Sequence, residues 1–175
     1  NYDPGWHYML DETQLSRNPN YPSGGTIHEL TGDMQVYPIS RLVPRFNDFQ
    51  MANQFTSACG LEIYRDDLLG KDWRGHFFTC EPVHDLVAHY ALQPDGASYT
   101  GARLPGEEMR EFFASTDNWC RPVCVRTGPD GAIYIADMYR EVIEHPAYIN
   151  ERDQAASDFR AGSDMGRVYR VFRSE

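Results

Sequence analysis

The chain has 175 residues and a formal net charge of −10, and 41% of its residues are hydrophobic. This length suits one hydrophobic core, so we predict a single domain over residues 1–175. The acidic excess repels a phosphate backbone and excludes nucleic acid as an expected partner. No apolar run is long enough to span a bilayer, and the first residues lack the pattern of a secretion signal.

The first predicted strand pair lies near the middle of the chain. Gly75–Cys80 and Asp85–Tyr90 are short segments rich in aromatic and aliphatic residues, which is typical of strands. The pair leads into the run Pro94–Tyr99, which contains an Asp-Gly dipeptide. Asp-Gly tolerates the positive φ values of a tight turn, so this run predicts a hairpin.

A second run of the same kind, Pro129–Tyr134, follows about 35 residues later. The apolar segments Pro122–Arg126 and Ala132–Ala136 flank it and suit a strand buried on both faces. A repeat of strand pairs at this spacing is typical of β-propeller blades. We therefore predict an all-β chain that holds about three to four blades.

Helix is predicted only in short pieces, and a last strand closes the chain. The three helical candidates are Glu107–Ala114, Tyr139–Glu144 and a stretch around Asp153–Arg160. The final strand is Gly166–Phe172, which closes the chain.

Four cysteines are present, without the Cys-x-x-Cys spacing of zinc or haem sites. Cys120 and Cys124 are too far apart along one strand to form a disulfide. Cys59 and Cys80 lie at the ends of neighbouring strand-like segments, so a bridge between them is the better candidate. Two buried free thiols are the alternative.

Polar residues at strand ends are the remaining candidates for chemistry. His7 and His84 stand next to bend-forming residues, where a side chain can face a propeller channel; the alternative is a satisfied or surface histidine. Arg121 precedes a predicted inner strand and could bind carboxylates or quinone oxygens, or brace a neighbouring blade. Asp137 and Arg140 follow the next strand, where an ordinary salt bridge is the alternative to a ligand role.

Longer motifs carry a family resemblance. These runs are Arg65–Asp67, Cys80–His84, Ala114–Trp119, Arg121–Val123, Thr127–Gly131 and Asp137–Pro146. Together they strongly resemble the membrane-bound dehydrogenases of planctomycete- and verrucomicrobial-type bacteria. The run Gly166–Val171 is similar to the end of that family's propeller domain.

The resemblance implies a six-bladed propeller similar to the soluble glucose and sorbosone dehydrogenases that use pyrroloquinoline quinone. This chain then corresponds to the C-terminal part of the ring, and the rest of the propeller or a partner chain would complete it. The family is often joined to helical repeats and a c-type cytochrome domain, although this sequence has no haem motif. The expected location is periplasmic or otherwise extracytoplasmic, in a membrane-associated complex.

The same resemblance implies oxidation of a sugar or an alcohol by hydride transfer to the quinone in the central channel. His7 or His84 would act as the base, and Asp137 would hold a calcium ion. The residues expected to bind the cofactor are Trp119, Arg121 and Arg140. The competing hypothesis is a non-catalytic propeller that serves as a scaffold or accessory subunit in a larger extracytoplasmic, electron-transferring complex.

Overall fold

The computed structural model describes residues 5–7, 12–20, 27–29, 35–41, 53–96 and 98–174. These residues form antiparallel β-sheets with few helices, so the prediction of an all-β fold is confirmed. The strands in chain order are β1 Gly5–His7, β2 Ile27–Glu29, β3 Cys59–Ile63, β4 Phe77–Glu81, β5 Leu86–Asp95, β6 Ser98–Ala102, β7 Phe113–Ala114, β8 Pro122–Thr127, β9 Ile133–Asp137 and β10 Arg167–Val171.

The strands form three sheets. One sheet contains β3, β4, β5 and β6 in that order, and β7 pairs with the first residues of β5. A second sheet has the order β10-β9-β8, and β1 pairs with β2 in a separate two-stranded sheet. Every pairing is antiparallel, as the predicted series of hairpins requires.

Both predicted Asp-Gly runs lie at hairpin turns. Gly96 follows β5 with a φ of 58°, and Gly131 precedes β9 with a φ of 80°. These positive φ values favour glycine, because it lacks the Cβ atom that clashes in this region. The turn prediction is confirmed at both positions.

Among the residues that the structure describes, the helices are α1 Glu12–Leu15, α2 Glu151–Ala156 and the short 3-10 turns Lys71–Trp73 and Pro146–Tyr148. The predicted helix over 107–114 is wrong, because its last two residues form β7 against β5. The predicted helix over 139–144 is also wrong, since it begins at Tyr139 with a φ of 53°. In the described parts of the chain, no helix has the length and apolar character needed to cross a membrane.

The five-stranded sheet is buried on both faces. Phe77, Leu86 and Ala88 pack on one face in a first core cluster. Phe78 and Val87 point to the opposite face, as alternate residues of a strand do, and join a second cluster. That second cluster includes Val125, Ile133 and Ile135 of the three-stranded sheet, so it lies between the two sheets.

Polar contacts join the two sheets at the ends of this shared core. At one end, the hydroxyl of Tyr64 donates to the carbonyl of Gly131 at 2.8 Å. Beside it, Oε1 of Glu62 accepts hydrogen bonds from the backbone N–H and the hydroxyl of Thr127. The opposite end contains most of the residues that the sequence marked as candidates for function.

Candidate functional site

Arg121 lies immediately before β8 and is almost completely buried. Its Nη1 donates to the carbonyl of Pro82 at 3.0 Å and to the carboxylate of Asp85 at 2.8 Å. Its Nε and Nη2 donate to the carbonyls of Arg140 and Glu141, each at 2.9 Å. Four N–H groups of one guanidinium therefore bind the turn between β4 and β5 to the segment after β9.

We call this group of residues the Arg121 network; its members are Asp85, Arg121, Asp137, Arg140 and Arg167. The group joins the five-stranded sheet to the three-stranded sheet, because Asp85 lies in the β4–β5 turn and the others flank β8, β9 and β10. The structure thus brings together three of the predicted site residues, Arg121, Asp137 and Arg140.

Both carboxylate oxygens of Asp137 accept hydrogen bonds from other residues of the chain. Its Oδ1 accepts from the backbone N–H groups of Arg121 at 2.7 Å and Tyr139 at 2.8 Å. Its Oδ2 accepts from Nε and Nη2 of Arg167 at 3.0 and 2.7 Å. Burial acts to raise the pKa of Asp137, but the bonds from Arg121 and Arg167 outweigh it and lower that pKa below its usual value.

Arg140 and Trp119 also face partners within the chain. Nη1 of Arg140 donates to the carbonyls of Met138, Tyr139 and Gly162 at 3.0, 2.8 and 2.6 Å. Its backbone N–H donates to the carbonyl of Trp119, whose ring lies 5.8 Å from that of Tyr139. Both residues hold the segment after β9 in place.

His84 is buried next to Glu81 at the β4–β5 turn. Its Nε2 accepts the backbone N–H of Asn53 at 2.9 Å, so this nitrogen carries no proton. Nδ1 then bears the proton and lies 3.5 Å from Oε1 of Glu81, too far for a good hydrogen bond. Both ring nitrogens therefore face the protein interior, and neither is placed to meet a substrate.

Glu81 is fully buried at the end of β4 and accepts bonds from four donors. Its Oε2 accepts the backbone N–H groups of Thr56 and Ser57 at 2.9 and 2.8 Å. Its Oε1 accepts the hydroxyl of Thr56 and the backbone N–H of Val83. The carboxylate of Glu81 thus holds Thr56 and Ser57 against the β4–β5 turn, so its role is structural.

Asp85 has the most perturbed carboxyl group of the Arg121 network. Burial raises its pKa to about 6, although Arg121 and a hydrogen bond with Ser40 act in the opposite direction. The desolvation cost therefore exceeds the gain from the ion pair, as is common for buried charges. Its φ of 61° lies in the left-handed region, so the surrounding packing imposes this conformation.

Two further predicted sites lie outside the Arg121 network. His7 is the last residue of β1, and its side chain lies outside the part of the molecule that the structure describes. Cys59 and Cys80 are direct partners in the β3–β4 register, where burial affects both side chains in their thiol form. Burial raises the pKa of Cys59 to about 11 and that of Cys80 even further.

The Arg121 network offers few free atoms to a quinone or to calcium. The guanidinium groups of Arg121 and Arg140 already bind carbonyls, and the carboxylate oxygens Oδ1 and Oδ2 of Asp137 have two and three donors. Calcium needs six or more oxygen ligands. Within the described residues, no group of three or more His, Cys, Asp or Glu side chains is arranged to hold a metal ion. The side chains as they stand do not fit either cofactor.

A second polar cluster contains His76, His89 and Glu107, and we call it the histidine relay. None of these three residues was predicted from the sequence as a site residue. Nδ1 of His76 lies 2.9 Å from Nε2 of His89, and Nδ1 of His89 lies 2.9 Å from Oε2 of Glu107. The His89 ring lies nearly parallel to the rings of Trp73 and Phe78, at centroid distances of 4.4 and 4.6 Å, and the centroids of those two rings are 6.2 Å apart. The relay crosses from half-buried His76 through buried His89 to Glu107.

Burial controls the electrostatics of the histidine relay. It lowers the pKa of His89 to about 4, although the hydrogen bond and charge of Glu107 act to raise it. Burial also lowers the pKa of His76, against the charges of Asp72 and Glu107. Both imidazoles are therefore neutral at pH 7.

The hairpin register brings the two histidines together. His89 is the direct partner of Phe78 across β4 and β5, and His76 is two residues before Phe78, so their side chains share a face. The four residues between Glu81 and Leu86 form the turn of this hairpin. A turn predicted at this place in the sequence would have aligned His89 with Phe78. Glu107 could not be found in this way, because it comes from a loop between β6 and β7.

Comparison with known proteins gives a family and no named relative. A family model described as "Domain of unknown function (DUF7133)" matches residues 1–175. The search of curated proteins and the search of solved structures each found no match.

Proposed function

The chain belongs to the DUF7133 family, a domain of unknown function, and we propose that it is a β-propeller segment with a scaffold role in a larger extracytoplasmic complex. In this proposal the chain supplies about three to four blades of a six-bladed ring. The rest of the propeller or a completing chain would supply the others.

The arrangement of the sheets supports the propeller. Two antiparallel sheets built from consecutive hairpins pack with a shared core of Phe78, Val87, Val125, Ile133 and Ile135. Propeller blades pack in this way, each burying its faces against its neighbours. The β10 strand is at the end of its sheet in the described residues, where a further strand could pair.

The Arg121 network carries the scaffold proposal. Arg121 uses four N–H groups on protein acceptors, and Asp137 accepts five hydrogen bonds. A cofactor site keeps some donors unpaired until the ligand arrives, because a ligand must otherwise displace bonds that already exist. Here the two bonds from Nη1 of Arg121 cross to the β4–β5 turn of the other sheet, and the remaining bonds hold β8, β9, β10 and the segment after β9 together, which suits a structural joint.

Quinone-dependent oxidation of a sugar or an alcohol is the second candidate, and the histidine relay favours it. Such a reaction needs a base, and His76 has a ring nitrogen, Nε2, without a hydrogen-bond partner in the described residues. The quinone would supply the hydride acceptor when bound. The cofactor would then lie outside the Arg121 network.

Titration with pyrroloquinoline quinone and calcium tests the two candidates on the complete protein. Tryptophan fluorescence reports binding, and reduction of a redox dye with glucose or ethanol as substrate reports turnover. The scaffold proposal expects neither saturable binding nor dye reduction above a no-protein blank. Saturable binding with substrate-dependent dye reduction would overturn it and establish the oxidoreductase. Native mass spectrometry of the same sample should show the chain within an assembly larger than one copy.

A further inference from the structure

The histidine relay has a role that goes beyond the scaffold proposal. We propose that His76, His89 and Glu107 form a general-base site in which Nε2 of His76 takes a proton from water or from the hydroxyl group of a small ligand. This inference does not depend on a quinone, a metal or the Arg121 network.

The hydrogen-bond pattern fixes the tautomers. A carboxylate at Glu107 accepts from Nδ1 of His89, so the proton of His89 is on Nδ1 and its Nε2 is an acceptor. Nδ1 of His76 must then donate to that Nε2. The lone pair of His76 is left on Nε2, the nitrogen at the outer end of the relay.

Burial differs along the relay in the way a base site requires. His89 is 1% exposed and cannot meet a ligand, whereas His76 is only half-buried. Nε2 of His76 has no hydrogen-bond partner among the described residues and is not one of their buried, unpaired polar atoms. It therefore reaches solvent, where a small ligand can approach it.

The aromatic packing holds the rings in one orientation. The His89 ring is nearly parallel to both Trp73 and Phe78, with interplanar angles of 10°. Phe112 meets it edge-on with ring centroids 6.0 Å apart. These three aromatic neighbours, together with the hydrogen bonds at both ring nitrogens, restrict rotation of the His89 ring, so the relay is fixed in advance of any reaction.

Three charged groups set the proton affinity of the relay. The carboxylates of Asp72 and Glu107 favour a proton on His76, and Glu107 also favours one on His89. The guanidinium of Arg103 disfavours a proton on His89. Because burial outweighs the carboxylates, both rings are neutral at pH 7 and Nε2 of His76 keeps its lone pair.

The proposed reaction is the hydrolysis of a small ester, and its only reactants are the ester and water. The O–H bond of water breaks, an N–H bond forms at Nε2, and the water oxygen bonds to the carbonyl carbon of a small ester. The Nδ1 proton of His76 moves towards His89 and that of His89 towards Glu107, which spreads the new positive charge. The leaving alkoxide or phenolate departs, and the relay returns its proton to solvent.

Hydrolysis of p-nitrophenyl acetate tests the site, because a basic imidazole accelerates this reaction. His76→Gln should lower the rate at pH 7 by about tenfold or more, since general bases contribute about 100-fold or more. Glu107→Gln should lower it severalfold and move the inflection of the pH–rate profile to lower pH, because the pKa of His76 loses the support of Glu107. Glu108→Gln is the control, as Glu108 is the exposed neighbour of Glu107. His145→Gln removes an exposed imidazole elsewhere.

Carbethoxylation with diethyl pyrocarbonate, read by peptide mass spectrometry, tests the parent protein without any substitution. His76 should be modified at pH 7, and His89 should be protected until the protein unfolds. An unmodified His76 would overturn the proposal, because its lone pair would then be unavailable. So would a His76→Gln protein that hydrolyses the ester at the parental rate, or a Glu107→Gln protein with an unchanged pH profile. Modification of His76 together with loss of ester hydrolysis in His76→Gln would support the base site. The scaffold proposal is tested separately, by the quinone titration.

Discussion

Buried charges in this protein are placed where hydrogen bonds replace water. Glu81 is fully buried, and each of its carboxylate oxygens has two donors from the backbone or a hydroxyl group. The guanidinium of Arg121 likewise donates hydrogen bonds to three carbonyl groups and to the carboxylate of Asp85. Charged groups can be buried at tolerable cost only with such partners. At the level of single residues, the buried charges of Glu81 and Arg121 therefore stabilise the fold.

Glu81→Gln should lower the free energy of unfolding by about 3 kcal/mol. All four partners of this carboxylate are donors, so the amide group of glutamine must face at least one of them. Glu108→Gln is the control, because the amide oxygen can keep the one bond from Gly106 in an exposed place. Urea unfolding of both variants measures the difference. Equal stability of Glu81→Gln and the parent would contradict the structural role.

His89 should make the stability depend on pH between about 4 and 6.5. The pKa of His89 is about 4 in the folded protein and near 6.5 when unfolded, so only the unfolded chain binds the proton in this window. Stability should thus fall on acidification, with a slope of up to about 1.4 kcal/mol per pH unit from this group. Asp85 acts with the opposite sign, because its raised pKa adds stability at low pH.

The variant His89→Phe separates these contributions, since phenylalanine keeps a ring against Trp73 and Phe78 but has no titrating nitrogen. Thermal unfolding of the parent and the variant from pH 4 to 7 gives the difference at each pH. The parent should lose more stability than the variant as the pH falls from 6.5 to 4. Parallel curves would show that the proton affinity of His89 is the same in both states.

At the level of elements, glycine decides how closely β3 approaches β8. Gly60 has a φ of 62°, and a Cβ atom there would lie 2.5 Å from the carbonyl oxygen of Val123 and 2.7 Å from Cα of Cys124. Both atoms belong to backbone and cannot move aside easily. The contact between the two sheets at this point therefore requires a residue without a side chain.

Gly60→Ala should destabilise the protein by about 3 kcal/mol or more, from the strained φ and the clash together. Gly75→Ala is the matched control, because Gly75 has a φ of 86° but no atom of the described residues within 4 Å of the added Cβ. That variant should lose only about 1 kcal/mol. Urea unfolding of the pair measures both. Similar losses would mean that the approach of β3 to β8 is not tight.

The Cys59–Cys80 bridge stays a prediction, and the β3–β4 register makes it geometrically feasible. Residues directly opposite in an antiparallel pair have Cα atoms about 4.5 to 5.5 Å apart, within the range of a disulfide. Iodoacetamide labelling in denaturant without reductant should modify Cys120 and Cys124 but leave Cys59 and Cys80 unlabelled. Labelling of all four would exclude the bridge. It would also weaken the extracytoplasmic location, because cytosolic thiols stay reduced.

Turn chemistry was the most predictable part of the fold. The Asp-Gly runs gave both hairpins, since a positive φ at Gly96 and Gly131 is a local property of the dipeptide. The helix predicted over 107–114 failed because pairing of Phe113 with β5 overrides a local helical preference. The apolar run Ala132–Ala136 predicted a strand buried on both faces, and in β9 the residues Ile133, Ile135 and Asp137 are buried while Tyr134 and Ala136 are half-buried.

The candidate site was less predictable, because its contacts are long-range. Arg121 was singled out from its place before a strand, but its partners Asp85 and Pro82 are 36 and 39 residues away. Sequence reasoning could not tell a binding arginine from one that braces two sheets. The relay was missed for the same reason, since Glu107 reaches His89 from a loop.

For the whole molecule, the two main sheets depend on contacts at both ends of their shared core. Tyr64 and Glu62 join them at the Asp-Gly turn of β8 and β9. The Arg121 network joins them at the other end, through the β4–β5 turn. The proposed scaffold role requires this rigid pairing, because a segment that presents surfaces to partners must hold its sheets in a fixed relation.

Hydrogen–deuterium exchange of Arg121→Ala tests this joint most directly. The structural account predicts faster exchange at both 81–85 and 137–141, since both segments lose their shared partner at once. Arg126→Ala, at an exposed arginine of β8, should leave both segments protected as in the parent. If Arg121→Ala keeps parental protection at both segments, Arg121 does not hold the sheets together, and it becomes available again as a ligand-binding residue.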